Sequence, residues 1–215
     1  MTDTAITRER PLRADAERNR QKSLTAARAV FAARGFAATL DDIAARAGVG
    51  VGTVYRRYPD KDALIDALFE ERLAGVAELG RRALAHEDPW EGFVTFMTEG
   101  AALQAADRGL KQAMLSRGRA RAGRARATIV PIVTELITRA QQTGRLRADL
   151  EVVDIPIINR MVLAIADMTR AVSPDTYRRM LGIVLDGLAT RRSEPTPLPA
   201  AIDQDQLVAA IAEHG

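Results

Sequence analysis

Two arginines stand side by side in the stretch Thr53-Val54-Tyr55-Arg56-Arg57-Tyr58, with no acidic residue among them. Guanidinium groups bind phosphate oxygens and guanine edges, threonine and tyrosine hydroxyls bind phosphates or base edges, and a small apolar side chain such as Val51 can touch a thymine methyl. The chemistry on offer is recognition of a nucleic-acid duplex. Catalysis has less to work with. There is no cysteine, and only His86 and His214 supply imidazoles, so disulfides, thiolate metal ligands and a histidine-based triad are not expected. Glu99, Asp107 and Asp167 are acids without a recognisable constellation around them. No catalytic residue, metal ligand or cofactor is therefore expected.

Presenting those side chains to a duplex requires a rigid support, and the flanking residues describe one. Thr39 can cap a helix whose third residue, Asp42, completes a capping box, and Ile43, Ala44 and Ala47 then share one face. Gly48 suits a left-handed C-cap, Val49 can fill the angle between two helices, and a second helix starts around Gly50 to Gly52. Pro59 stops it after Tyr58. Val54 and Tyr58, four apart, would face inward and leave Val51, Thr53, Tyr55, Arg56 and Arg57 outward. Upstream, Leu24, Ala27, Val30 and Phe31 mark a helix from Ala14 to Arg34, ended by Gly35. These elements compose a helix-turn-helix; a solvated helical hairpin in an all-α protein is the plainer alternative.

The pattern T-x-x-x-I-A-x-x-A-G-V-x-x-G-T-x-Y-x-x-Y-P-x-K-x-x-L, from Thr39 to Leu64, resembles the DNA-binding signature of TetR-family transcriptional regulators, and the likeness continues upstream through Ala26, Ala27, Phe31, Gly35 and Phe36. The resemblance implies a homodimeric, all-α repressor that releases operator DNA when a small molecule binds. It places Thr39, Val51, Thr53, Tyr55, Arg56, Arg57 and Lys61 at positions that approach the operator. Two residues depart from the pattern: Gly50 stands where many members carry a serine-like cap, and Val51 where many carry a polar residue.

Charge distribution agrees with a basic reading head. From Met1 to Asp62, 12 Lys or Arg stand against 8 Asp or Glu, whereas the remaining residues carry 19 against 20. Four segments are expected: a flexible basic arm over 1–13, a DNA-binding domain over 14–62, an effector-binding and dimerisation domain over 63–193, and a tail over 194–215. Arg8, Arg10 and Arg13 of the arm could meet phosphates or simply solubilise it. No apolar run approaches a membrane span and no signal-peptide pattern precedes the first charges, so a soluble, cytoplasmic protein without a membrane partner is expected.

The second domain reads as helices throughout. Asp60 caps one from about Lys61 to Leu84, and Asp88 with Pro89 opens another carrying Phe93, Phe96, Met97 and Gly100. Family resemblance makes that helix a wall of an effector cavity, although the same residues also suit an ordinary filled core. Met114, Arg121, Ile132, Met161 and Ile165 complete the candidate effector-binding set, for a small molecule that is apolar or anionic. A small helix is expected from Gly109 to about Ser116. Arg117, Arg119, Arg121, Arg124 and Arg126 follow without an acid among them, either as a solvated face or as a mouth for an anionic effector. Pro131 should restart or kink the next helix. Two apolar helices, one about Val152 to Val172 and one that follows the break at Ser173, Pro174 and Asp175 and runs to about Arg191, would bury their excess against a second copy through Ile158, Met168, Tyr177, Leu181, Val184, Leu185 and Leu188.

Overall fold

The computed structural model describes residues 6–106, 118–169, 171–190 and three tail positions, 203, 205 and 206; side chains of 6–13, Phe36 and 118–122 fall outside it. Eight α-helices and no strand occur among the described residues: α1 Ile6–Arg34, α2 Leu40–Ala47, α3 Val51–Arg57, α4 Lys61–Leu84, α5 Pro89–Ala106, α6 Gly118–Gln142, α7 Asp154–Met168 and α8 Thr176–Leu188. The short helix expected over 109–116, Met114 and the tail from Arg191 onward, save 203, 205 and 206, lie outside the described residues. No described helix is long and apolar enough to cross a membrane.

The chain folds into two compact units, and the division falls inside α4, between Glu71 and Arg72. The first unit closes on a core of Leu24, Ala27, Phe31, Ile43, Val54, Tyr58, Leu64, Ile65 and Leu68. Because Leu64 and Leu68 are fully buried there, the front of α4 belongs to the first core although its sequence reads as a separate helix. α1 starts at Ile6, well before Ala14. The residues ahead of Ala14 lack an apolar stripe, but arginine, glutamate and leucine are good helix formers, and a stripe is needed only where a helix buries a face.

Local chemistry explains α2. Thr39 lies in the extended region, its Oγ1 accepts from the Asp42 N–H at 3.1 Å, and the Asp42 carboxylate accepts from the Thr39 N–H at 3.0 Å. Arg34, at the end of α1, donates to the other Asp42 oxygen at 2.6 Å. Hydrogen bonds from the Thr39 side chain and then its amide, with a smaller contribution from Arg34, hold the Asp42 carboxyl below its ordinary value of 3.8. At the far end Gly48 adopts φ 65°, which lets its N–H and that of Val49 return to Ala45 and Ala44 carbonyls.

In the second unit, α5 is capped by Asp88, whose Oδ1 accepts from the Trp90 and Glu91 N–H groups at 2.9 and 3.3 Å. Arg145 pairs with Asp88 and Glu91 and lies over the Trp90 ring, 5.6 Å from its centroid. The second core gathers Leu79, Trp90, Phe93, Phe96, Met97, Val133, Leu136, Val162, Tyr177 and Leu181. α6 is a single helix through Pro131, which sits on its exposed side. α7 is shorter than the apolar run suggests, because Thr169 turns its hydroxyl and N–H back onto the Ile165 carbonyl. α8 stops at Leu188. There Ala189 forms an antiparallel bridge with Leu146, and Arg147 donates its N–H to the Leu188 carbonyl.

Two glycines differ sharply in surroundings. A Cβ on Gly92 would sit 2.4 Å from the Ala83 carbonyl oxygen, whereas one on Gly75 meets nothing within 4 Å. Gly92→Ala should therefore lower stability by about 1–3 kcal/mol, read as a lower urea midpoint, while Gly75→Ala should leave it unchanged or raise it by roughly 0.4–1 kcal/mol. Removing the α2 cap with Thr39→Ala should cost about 1 kcal/mol. Because Asp42 is depressed in the folded state, its stabilisation is complete above its ordinary value and fades as pH falls through the lower folded one. Asp42→Asn should flatten that acid-side portion of a urea-midpoint profile.

Candidate nucleic-acid interface

Gly50 begins α3 without a side-chain cap; its carbonyl accepts from the Thr53 and Val54 N–H groups at 2.8 and 3.3 Å. The helix is then anchored from beneath, since Val54 is 1 % and Tyr58 4 % exposed. That anchoring leaves Val51, Tyr55, Arg56 and Arg57 exposed, while Thr53 and Lys61 are partly covered. Val51 and Tyr55 lie one turn apart on the same side of α3. Arg56 reaches back to the Thr53 hydroxyl at 3.5 Å, a contact too long to immobilise it. Lys61 opens α4, whose start is capped by Asp60 through the Ala63 N–H at 2.7 Å.

The arrangement combines exposed cations with oriented hydroxyls. The Asp41 carboxylate, on the α3 side of α2, is the main cause of a raised Tyr55 pKa, with some burial besides, so the phenol remains a hydrogen-bond donor at neutral pH. Thr39 is different. Its hydroxyl accepts from the Asp42 N–H and donates to the Asp42 carboxylate at 2.8 Å, so the cap takes its one proton within the protein.

Near the head, Arg18 and Lys22 at the start of the helix expected from Ala14 are candidates for DNA-backbone contact or for a solvated face, whereas Arg46 is not anticipated from the sequence. An open groove of about 460 Å³ between α1 and α2 is bordered by Arg18, Lys22 and Arg46 over a floor of Ala26, Ala29 and Ala47. Arg18 is paired with Asp15. Nothing periodic singles out Arg46, which lies on the side of α2 away from Asp41.

The effector-binding candidates separate into groups. Phe93, Phe96, Met97 and Gly100 of α5 are all buried in the second core, with Ile132 packed against it. Ile132 and Phe96 converge on Gly80, where a Cβ would meet their side chains at 2.4 and 3.5 Å. Ile165 is partly buried, while Met161 is 49 % exposed. Met114 and the Arg121 side chain lie outside the described residues.

The residues expected at the self-association face differ in exposure. Tyr177, Leu181, Leu185 and Leu188 are buried in their own core, and Ile158 and Val184, partly buried, pack against it. The apolar side of α8 faces α7 and α5. Periodicity reveals an apolar side without revealing which neighbour covers it. Met168 is exposed, at 78 %, and it continues a row of exposed residues on α7, Ile157, Met161 and Ala164; Gly182 and Ile183 on α8 are exposed as well.

Residues 24–68 match the family model described as bacterial regulatory proteins, tetR family, and residues 88–190 match that of the transcriptional regulator SbtR-like C-terminal domain. The HTH-type transcriptional repressor KstR of Mycolicibacterium smegmatis is 36 % identical over 94 residues, 42 % of this chain. This chain spans just under half, 46 %, of the length of that curated relative. A TetR transcriptional regulator from Streptomyces coelicolor superposes with a TM-score of 0.64 at 29 % identity, over 80 % of this chain and 99 % of that one. The TetR transcription regulatory protein from Mycobacterium vanbaalenii superposes with a TM-score of 0.65 at 37 % identity, over 84 % of this chain and 100 % of its own. A helix-turn-helix anchored and capped in this way, joined to a helical second unit and matched along the whole length of such a relative, means that the chain belongs to the tetR family of bacterial regulatory proteins.

Proposed function

We propose that the protein is a cytoplasmic transcriptional repressor that binds a near-palindromic operator as a homodimer and leaves it when a small molecule binds its second unit. The observation that carries this reading is the display of Tyr55, Arg56, Arg57 and Val51 on a helix anchored through Val54 and Tyr58. Arg56 and Arg57 supply base or phosphate contacts. Thr53, Tyr55 and Lys61 hold the backbone, Val51 meets an apolar base edge, and Thr39 positions α2. α4, which begins at Lys61 and is divided between the two compact units after Glu71, is the lever.

Two-fold symmetry supplies the second reading head. Half-sites on one face of a duplex lie roughly 34–36 Å apart, so a dimer must hold its heads at that spacing. The exposed row Ile157, Met161, Ala164 and Met168, with Gly182 and Ile183, is the apolar surface suited to joining two copies. An apolar or anionic effector, drawn toward Phe96, Ile132 and the arginine-rich start of α6, would act by shifting α4.

Duplexes selected from a random-sequence pool by the unmodified protein provide the test. Arg57→Ala should weaken binding to the selected duplex by about 1–3 kcal/mol and, where the contact is to phosphate, reduce the salt slope by roughly one. Undiminished binding by both Arg57→Ala and Tyr55→Ala in a gel shift would exclude this assignment. Ile183→Asp or Met161→Asp should give a folded monomer in sedimentation, with operator affinity reduced to that of a single head; a dimer persisting in both variants would place the interface elsewhere.

A further inference from the structure

One carboxylate beneath the reading head is shared in a way that none of the roles above uses. Glu71, on α4, accepts from Gln21 Nε2 at 2.9 Å through one oxygen and from Arg28 Nη2 at 3.1 Å through the other. Gln21 and Arg28 are seven residues apart, hence two turns and about 10 Å along the same face of α1. The ion pair is well covered, with Arg28 and Glu71 side chains 30 % and 22 % exposed, so solvent screens it less than an ordinary surface pair.

The same neighbourhood receives the end of α3. Tyr58, its C-cap, is 4 % exposed and its hydroxyl is buried without a hydrogen bond of ordinary geometry. Burial pushes that phenol up, Arg57 and Arg20 oppose the shift, and Glu71 adds to it, which marks all three charged groups as neighbours of the ring. Glu71 is also the last residue of α4 within the first compact unit.

We propose that Glu71 is a positioning residue for DNA reading: by bridging two turns of α1 it locks α4 in axial register against α1 and so sets the pose of Tyr58 and of the short helix that Tyr58 ends. A single ion pair would tolerate rotation or sliding of one helix past the other. A carboxylate gripped at two points two turns apart does not, since a shift of one helical rise opens one of the bonds. The Tyr58 hydroxyl makes no hydrogen bond of ordinary geometry, only a looser interaction with Arg57, so the pose of α3 depends chiefly on the packing that this bridge maintains. Glu71 touches no nucleotide in this scheme and acts only through α1, α4 and Tyr58.

The inference rests on the DNA-binding reading, and its test uses the full-length protein with two duplexes, the one selected from a random pool and a shuffled sequence of equal length. Glu71→Ala should reduce the ratio of selected to shuffled affinity about tenfold, with the salt slope unchanged because no phosphate contact is lost. Glu71→Gln, which keeps an acceptor for Gln21 but no charge for Arg28, should fall between. Glu71→Ala combined with Arg28→Ala should lose less than the two single losses together. A ratio within twofold of the unmodified protein in both Glu71 variants, or an equal loss on both duplexes, overturns the inference while leaving the DNA-binding reading in place. Failure of the unmodified protein to select any duplex overturns both.

Discussion

A seven-residue helix does not hold itself together in water, because the first turn must be nucleated before any hydrogen bond returns the entropy lost. α3 exists because Val54 and Tyr58 are pulled into the first core, and everything that faces outward from α3 depends on those two side chains facing inward. The constraint propagates. α2 must present Ile43 and Ala44 from one side of that core, Gly48 must turn the chain within one residue, and the front of α4 must close the floor with Leu64, Ile65 and Leu68. Loss of side-chain order in this small core would leave Arg56 and Arg57 charged but unaimed.

The second unit solves a different problem, packing long helices closely enough to exclude water. It does so partly by omission. Gly80 lets Ile132 and Phe96 close on α4, and Gly92 lets α5 lie against the Ala83 carbonyl at the end of the same helix. Elsewhere polar groups fasten the ends: Gln141 donates to the carbonyls of Arg147, Ala148 and Leu150, and Arg147 pairs with Asp149 at 2.6 Å. The connection between α6 and α7 is thereby fixed to both flanking helices and to the end of α8.

How much could be read from the residues alone followed the range of the interactions involved. The helix-turn-helix was legible to within a residue or two, because Thr39, Asp42, Gly48, Asp60 and Pro59 act on backbone groups only a few positions away. The inward placement of Val54 and Tyr58 followed from their spacing. The role of the second unit's apolar residues was less legible. Tyr177, Leu181, Leu185 and Leu188 recur as a stripe whether the covering surface is the same chain or another, and only the folded chain shows that α5 and α7 already cover it. The end of α8 escaped for a related reason: Ala189 leaves the helix to meet Leu146, a partner 43 positions distant. The bridge through Glu71 was illegible too, joining residues 50 and 43 positions apart by side chains that look solvent-facing in isolation.

The stacking of Arg145 on Trp90 has a spectroscopic consequence. The chain has one tryptophan, nearly buried in the second unit beneath a cation and beside Phe93, whereas two of the three tyrosines, Tyr55 and Tyr58, belong to the first. Indole emission is therefore a local signal of how the α5 start is solvated, blind to the state of the reading head, while tyrosine emission is weighted toward that head. A denaturation followed at both wavelengths resolves whether the units melt together or in turn, without any label being attached.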